Sequence, residues 1–186
     1  MKADIAKVLN RDKTMRRLVE QHGPVPERKR PVFLALVRAV VSQMLSGSAA
    51  ASILGRIEKR VGFDPGRLSR VRVSTLRGLG LSNTKAECVR RLAKLALQRE
   101  FDDLEKLSDD EIVERLTVIK GIGPWTAHMV LLGALGRPDV WPAGDGGIQR
   151  AAQNLYGVGL DGLAELGERF RPYRSYASWY FWRSLG

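Results

Sequence analysis

An all-α fold of two lobes is predicted for this chain by three observations. Apolar residues recur at helical spacing in one segment after another. No stretch of useful length alternates with period two. Gly, Pro and helix-capping residues punctuate the segments. One lobe is expected over residues 32–136. The other joins residues 1–31 to residues 137–186, and a cleft is expected between them. There is no internal repeat and no low-complexity tract.

Residues 2–22 read as one amphipathic helix, with Ile5, Val8, Leu9, Met15, Leu18 and Val19 on one face. Gly23-Pro24-Val25-Pro26 breaks it. Glu27 to Pro31 forms a charged turn, a solvated loop that could also touch phosphate. Residues 32–45 form a strongly apolar helix, and residues 49–61 a second one with small residues at its start. Phe63-Asp64-Pro65-Gly66 is a turn. One short helical piece is expected up to Leu79. Ser82 is placed to cap a long helix running to about Glu100. Ser108 and Glu111 have the spacing of a capping box.

The stretch from Leu116 to Asp145 is the most informative. An apolar helical run ends at Ile119, and Gly121-Ile122-Gly123 makes a tight turn. Pro124 suits the first position of a new helix, where its missing N–H is not needed. That helix should run to about Leu135. Gly136 to Gly144 is then a Gly/Pro-rich loop that delivers Asp145. Glycines allow close backbone approach, and the N–H groups of Gly121, Gly123 and the next helical turn lie at a positive dipole end. Such a hairpin can bind a phosphate without any side chain. A plain helix–turn–helix connection fits the glycines equally well. After Asp145, one helix should end near Tyr156-Gly157, a second should span residues 163–170, and a last one carries Trp179, Tyr180, Phe181 and Trp182.

Composition narrows the partner. The 186 residues carry 31 Lys and Arg against 20 Asp and Glu, a net charge of +11 spread along the chain rather than gathered in a tail. A folded basic face suits a polyanion such as nucleic acid. No RNP-like or KH-like motif points to RNA. The single cysteine, Cys88, excludes an internal disulfide and a cysteine-ligated zinc site or iron–sulfur cluster. Its helical context suits a buried small hydrophobe. His22 and His128 are too far apart in sequence to suggest a metal site. No apolar run approaches the roughly 20 residues of a membrane span, and the charged N-terminus lacks a signal-peptide core. A cytoplasmic, nucleoid-associated monomer is expected if the source is prokaryotic.

The run Leu-x-x-Ile-x-Gly-Ile-Gly-Pro-Trp-Thr-Ala over residues 116–127 closely resembles the helix–hairpin–helix of the HhH-GPD superfamily of DNA glycosylases. The Pro142-Ala143-Gly144-Asp145 loop is similar to that of the 3-methyladenine DNA glycosylase II family. So are the segments Gln43-Met44-Leu45-Ser46, Gly80-Leu81-Ser82 with Lys85-Ala86, and Pro172-Tyr173-Arg174-Ser175-Tyr176-Ala177. The resemblance implies a single catalytic unit over residues 1–186. The extra N-terminal β domain of some members is expected to be missing.

What the resemblance implies about the site follows residue by residue. Asp145 matches the catalytic carboxylate. Capping a helix is the plain alternative for an Asp before Gly-Gly, and the two roles are compatible, since N–H donors favour an ionised carboxylate. A carboxylate can stabilise an oxocarbenium-like transition state and orient water, and a cationic alkylated purine is already a good leaving group. Trp125 and Tyr173 match positions of an aromatic pocket suited to an electron-poor base, with Trp141 and Trp179 as possible additions. Met129 stands where some relatives have an aromatic. Core packing is the simpler reading for Phe181 and Trp182.

Met44 matches a wedge that fills the gap left by a flipped base; ordinary core packing is its alternative. Gln43, Gly121, Ile122, Gly123 and Thr126 are the further candidates for contact with DNA. The carbonyls of Thr117, Ile119 and Gly121 match those that hold a monovalent Na+ or K+ in the family, and no cofactor is required. The lyase branch places a Lys where this chain has Trp125, so hydrolysis without a Schiff base is expected. The implied partner is double-stranded DNA containing damaged bases, with 3-methyladenine and 7-methylguanine as the expected lesions. Hypoxanthine, ethenoadenine or a deaminated base are alternatives within the class, and a non-catalytic DNA-binding module is an alternative outside it.

Overall fold

In the computed structural model, residues 3–26 and 30–186 are described. These residues form twelve α-helices and two short 3-10 turns, with no strand among them. None of the helices is long and apolar enough to cross a membrane. The chain divides into two compact units. One comprises Met1–Arg28 with Gly136–Gly186, the other Lys29–Leu135.

The contiguous unit contains α3 (Val32–Ser42), α4 (Gly47–Arg60), α5 (Pro65–Arg70), α6 (Val73–Gly78), α7 (Asn83–Leu97), α8 (Asp109–Thr117) and α9 (Pro124–Gly133). α3 is its axis. Phe33, Ala35, Leu36, Val37, Ala39, Val40 and Val41 are all buried, and the helix packs against α4, α7 and α9. Apolar residues on all sides of one helix are the mark of a helix surrounded by others. α7 presents Ala86, Cys88, Val89, Leu92 and Ala93 to α3, α5 and α6.

The discontinuous unit contains α1 (Ala3–Leu9), α2 (Lys13–His22), α10 (Gly146–Tyr156), α11 (Leu163–Glu168) and α12 (Arg174–Arg183). Its core holds Leu9, Met15, Ile148, Phe170, Tyr180 and Phe181. Phe181 meets Trp141 edge-on at 5.2 Å and stacks on Tyr156 at 5.7 Å.

Several boundaries differ from the sequence reading. Residues 2–22 are not one helix. Among its described residues, α1 ends at Leu9 and α2 starts after Asp12, whose Oδ1 accepts the Met15 N–H at 2.9 Å. An Asp able to cap a new helix competes with continuation of the old one. The piece before Leu79 is two helices, α5 capped by Asp64 and α6 following the extended Val71. α3 stops at Ser42, and α7 stops at Leu97 because Arg99 turns into the left-handed region at φ 64°. α12 begins at Arg174, inside the segment expected to precede it. Ser82, the Ser108–Glu111 capping box and Pro124 at the start of α9 stand as the spacing predicts. Of the charged turn after Pro26, Glu27, Arg28 and Lys29 lie outside the described residues.

Asp12 does more than cap. Its Oδ1 also accepts from the Tyr156 hydroxyl at 2.9 Å, and its Oδ2 pairs with Arg169 at 2.6 Å. Burial, then the Asp12 bond, push the Tyr156 phenol well above its ordinary range. Asp12→Ala would remove a cap and strand a half-buried hydroxyl. It should lower unfolding free energy by about 2–4 kcal/mol, read from the urea midpoint at constant slope; a loss below about 0.5 kcal/mol would show that Asp12 is not a linchpin of this unit. The half-buried His128 imidazole is held below its ordinary value, first by desolvation. The unfolded state then binds the extra proton more readily, so stability falls as pH drops below about 6.5. His128→Gln should flatten that part of the stability–pH curve.

Candidate active site

The hairpin is built by the ends of two helices. α8 leads into it and its ladder stops at Thr117; the Ile119 N–H bonds the Leu116 carbonyl and the Ile122 N–H bonds the Ile119 carbonyl at 2.9 Å. Gly121 sits at φ 100°, a conformation that L side chains rarely adopt. A Cβ there would lie 2.9 Å from Cys88 Sγ and 3.1 Å from Cys88 Cβ. The missing side chain at Gly121 is therefore a packing requirement toward α7, not a space left for a phosphate. Gly123 is the reverse. Its backbone is extended, and a Cβ would meet nothing within 4 Å. Gly123 also offers no side-chain cap to the first turn of α9. Ile122 is buried and anchors the turn from below.

Gln43 and Lys85 hold the neighbouring turn. Gln43 Nε2 donates to the Gly121 carbonyl at 3.0 Å and to Thr126 Oγ1 at 2.9 Å. Thr126 is only 1% exposed, so its hydroxyl is spent inside the fold. Lys85 Nζ donates to the carbonyls of Val41 at 2.9 Å and Gln43 at 2.6 Å, closing the open end of α3. Burial pulls the Lys85 amine below its ordinary value. Between these anchors Met44 stands at φ 56° and is 101% exposed. Core packing is thereby removed as the reading of Met44. Trp125 and Met129 lie one turn apart on α9, both half-buried.

In the discontinuous unit, Asp145 is the N-cap of α10. Its Oδ1 accepts the Ile148 N–H at 2.8 Å. The same oxygen accepts the Trp182 indole N–H at 2.8 Å. Trp182, read from sequence as packing, is thus a direct partner of Asp145. No sequence signal links two residues on different helices, although Gly147 is a trace of the approach. The preceding loop is clamped to the start of α12. Arg174 grips Asp139 with Nε to Oδ1 at 2.8 Å and Nη2 to Oδ2 at 3.1 Å, a two-pronged geometry. Ser175 Oγ donates to the Arg137 carbonyl at 2.6 Å and accepts the Val140 N–H at 2.9 Å. Gln149 Nε2 bonds the Ala143 carbonyl at 3.0 Å. The Arg-Ser pair of the C-terminal motif thus fixes the loop that carries Asp145.

The expected aromatics separate. Trp141 is tied down: its indole N–H donates to the Leu163 carbonyl at 2.9 Å, and its ring lies against Phe181 and over Gly167. It packs with the core, not on a free face. Tyr173 precedes α12, half-buried and edge-on to Tyr176 at 6.1 Å. Trp179 stacks edge-on with Tyr180 and carries the Arg183 guanidinium over its ring. Among the described residues no group of three or more His, Cys, Asp and Glu could hold a metal ion. Cys88 is buried, and desolvation pushes its thiol up to about 11.

The two hairpin glycines should behave differently. Gly121→Ala should cost about 1–3 kcal/mol from backbone strain alone, with the Cys88 clash added. Gly123→Ala should stay within about 0.5 kcal/mol of the parent. Thermal unfolding of the two variants checks this; equal melting temperatures would refute the packing role of Gly121.

Comparison with known proteins shows the family. Residues 37–169 match the family model described as HhH-GPD superfamily base excision DNA repair protein. The chain is 32% identical over 188 residues to DNA-3-methyladenine glycosylase 1 of Schizosaccharomyces pombe, covering 93% of this chain and 82% of that protein. It is 30% identical to the alkylbase DNA glycosidase-like protein mag2 of the same organism, over 89% of this chain and 85% of the relative. The solved structure of the S. pombe 3-methyladenine DNA glycosylase Mag1 in complex with abasic DNA superposes with a TM-score of 0.89 at 30% identity, over 98% of this chain and 96% of that one. The hairpin, the Gly/Pro loop and the capped Asp145 are features of a chain that belongs to the HhH-GPD superfamily of base excision DNA repair proteins, among the 3-methyladenine DNA glycosylases.

Proposed function

We propose that this protein is a monofunctional DNA glycosylase that removes alkylated purines, of the 3-methyladenine and 7-methylguanine type, from duplex DNA. The observation that carries the reading is Asp145, an aspartate fixed at the start of α10 by two N–H donors at 2.8 Å. In this mechanism the base departs with the electrons of the N-glycosidic bond. The sugar becomes oxocarbenium-like, and the Asp145 carboxylate stabilises that charge and orients a water toward C1′. The water supplies the new C–O bond and passes its proton to the Asp145 carboxylate, which returns it to solvent. A cationic alkylated purine needs no strong acid to leave, so one carboxylate suffices.

The remaining candidates take supporting roles. Met44, exposed at the tip of a turn held by Lys85 and Gln43, is the side chain that enters the gap behind the flipped nucleotide. Gly123 and the first turn of α9, without a capping side chain, receive a DNA phosphate through backbone N–H groups. Trp125, with Met129 beside it, offers an aromatic face to a damaged base, and so, in its own unit, does Tyr173. The carbonyls of Thr117, Ile119 and Gly121 would hold a monovalent cation. Neutral oxygen donors suit such a hard ion, and of the two lone pairs on the Gly121 carbonyl one is taken by Gln43. Bound there, the cation would supply positive charge toward the same phosphate. The protein acts as a monomer.

Wild type and Asp145→Asn, incubated with methylated DNA, should differ at least about 100-fold in base release, read by chromatography of free bases. DNA affinity should be similar or tighter in the variant. Equal release would sink Asp145 as the catalytic residue. Release of nothing by wild type, with inosine, ethenoadenine or uracil duplexes cleaved instead, would move the lesion class. Borohydride should trap no covalent complex with damaged DNA, because Trp125 occupies the position where a Schiff-base lysine would stand.

A further inference from the structure

We infer that Trp182 is a positioning residue for Asp145, an inference that rests on the proposed role of that carboxylate in stabilising a sugar cation. Capping α10 needs only one donor, and the Ile148 N–H at 2.8 Å supplies it. A second donor on the same oxygen narrows the orientations open to the carboxylate. Trp182 Nε1 reaches the same Oδ1 at 2.8 Å from another helix, α12, 37 residues further along the chain. Both donors thus converge on Oδ1.

The donor itself is rigid. The indole has one N–H and no acceptor. Its neighbours on α12, Tyr180 and Phe181, are fully buried, and α12 packs directly on α10. Gly147 supplies the space. A Cβ there would lie 2.8 Å from Asp145 Oδ1, 2.9 Å from Trp182 Cδ1 and 3.2 Å from Trp182 Nε1. Any side chain would push the pair apart, so the approach of indole to carboxylate is written into the backbone at that position. A phenylalanine at 182 would keep an aromatic ring there without the N–H. The hydrogen bond is therefore more than packing requires. A carboxylate that meets a short-lived cation gains most from being oriented before the cation forms.

Affinity for two abasic-site analogues in otherwise identical duplexes tests this. One carries a cationic pyrrolidine in place of the sugar, the other a neutral tetrahydrofuran. Wild type should bind the cationic analogue more tightly. Trp182→Phe should lose about tenfold of that preference while holding the neutral analogue within about twofold. Gly147→Ala, which leaves both partners in place, should lose the same preference. Melting temperatures of both variants confirm that they are folded. Full preference in Trp182→Phe and in Gly147→Ala would overturn the positioning role. Absence of preference in wild type would overturn the underlying assignment of Asp145, and the inference with it.

Discussion

A short helix is marginal in water, because nucleation fixes several residues for one hydrogen bond and each end leaves N–H or C=O groups unpaired. The helices of this protein run from six to fifteen residues. Their ends therefore decide much. Asp12, Ser46, Asp64, Ser82, Ser108 and Asp145 each accept a first-turn N–H with a side-chain oxygen. At the other end of α3, Lys85 closes two carbonyls. The apolar cores hold the helices side by side, and these polar closures fix where six of them begin and where α3 stops.

The candidate functional residues of each unit use the same closures with a second duty added. Asp145 is a cap whose oxygen also takes an indole N–H. Gln43 finishes α3 and then reaches the hairpin, at Gly121 and Thr126. Gly123 starts a helix without a side-chain cap, as Pro31, Arg72, Gly162 and Tyr173 do for α3, α6, α11 and α12. What sets Gly123 apart is that a Cβ there would meet nothing within 4 Å, an opening consistent with an anion supplied from outside. Arg174 and Ser175 belong to the same economy: they secure the loop between α9 and α10 through its backbone and through Asp139.

Local signals were legible in the sequence, and signals between distant residues were not. Ser82, Ser108 with Glu111, Pro124 and the helix opening at Asp145 each depend on a few adjacent residues, and each stands where spacing alone predicts. The break at Asp12 was hidden because the apolar stripe from Ile5 to Val19 continues across it; the winning interaction, with Tyr156 and Arg169, comes from more than a hundred residues away. Trp182 was hidden for a similar reason. An aromatic on an apolar helix looks like packing until its N–H is traced to a partner. The hairpin glycines could be recognised, yet their division of labour could not, since it depends on Cys88 lying under Gly121 and on nothing lying over Gly123.

The turn at Met44 has a consequence for how such a protein can change. Everything that shapes the turn is backbone or belongs to other residues: the Leu45 N–H on the Ser42 carbonyl, Lys85 on the Val41 and Gln43 carbonyls, Gln43 on the hairpin. The Met44 side chain contributes nothing to the fold, being fully in solvent. Position 44 is thus a socket whose fitting can be exchanged without rebuilding the mount. Length, shape and polarity there are open to tuning while the architecture that presents them stays constant.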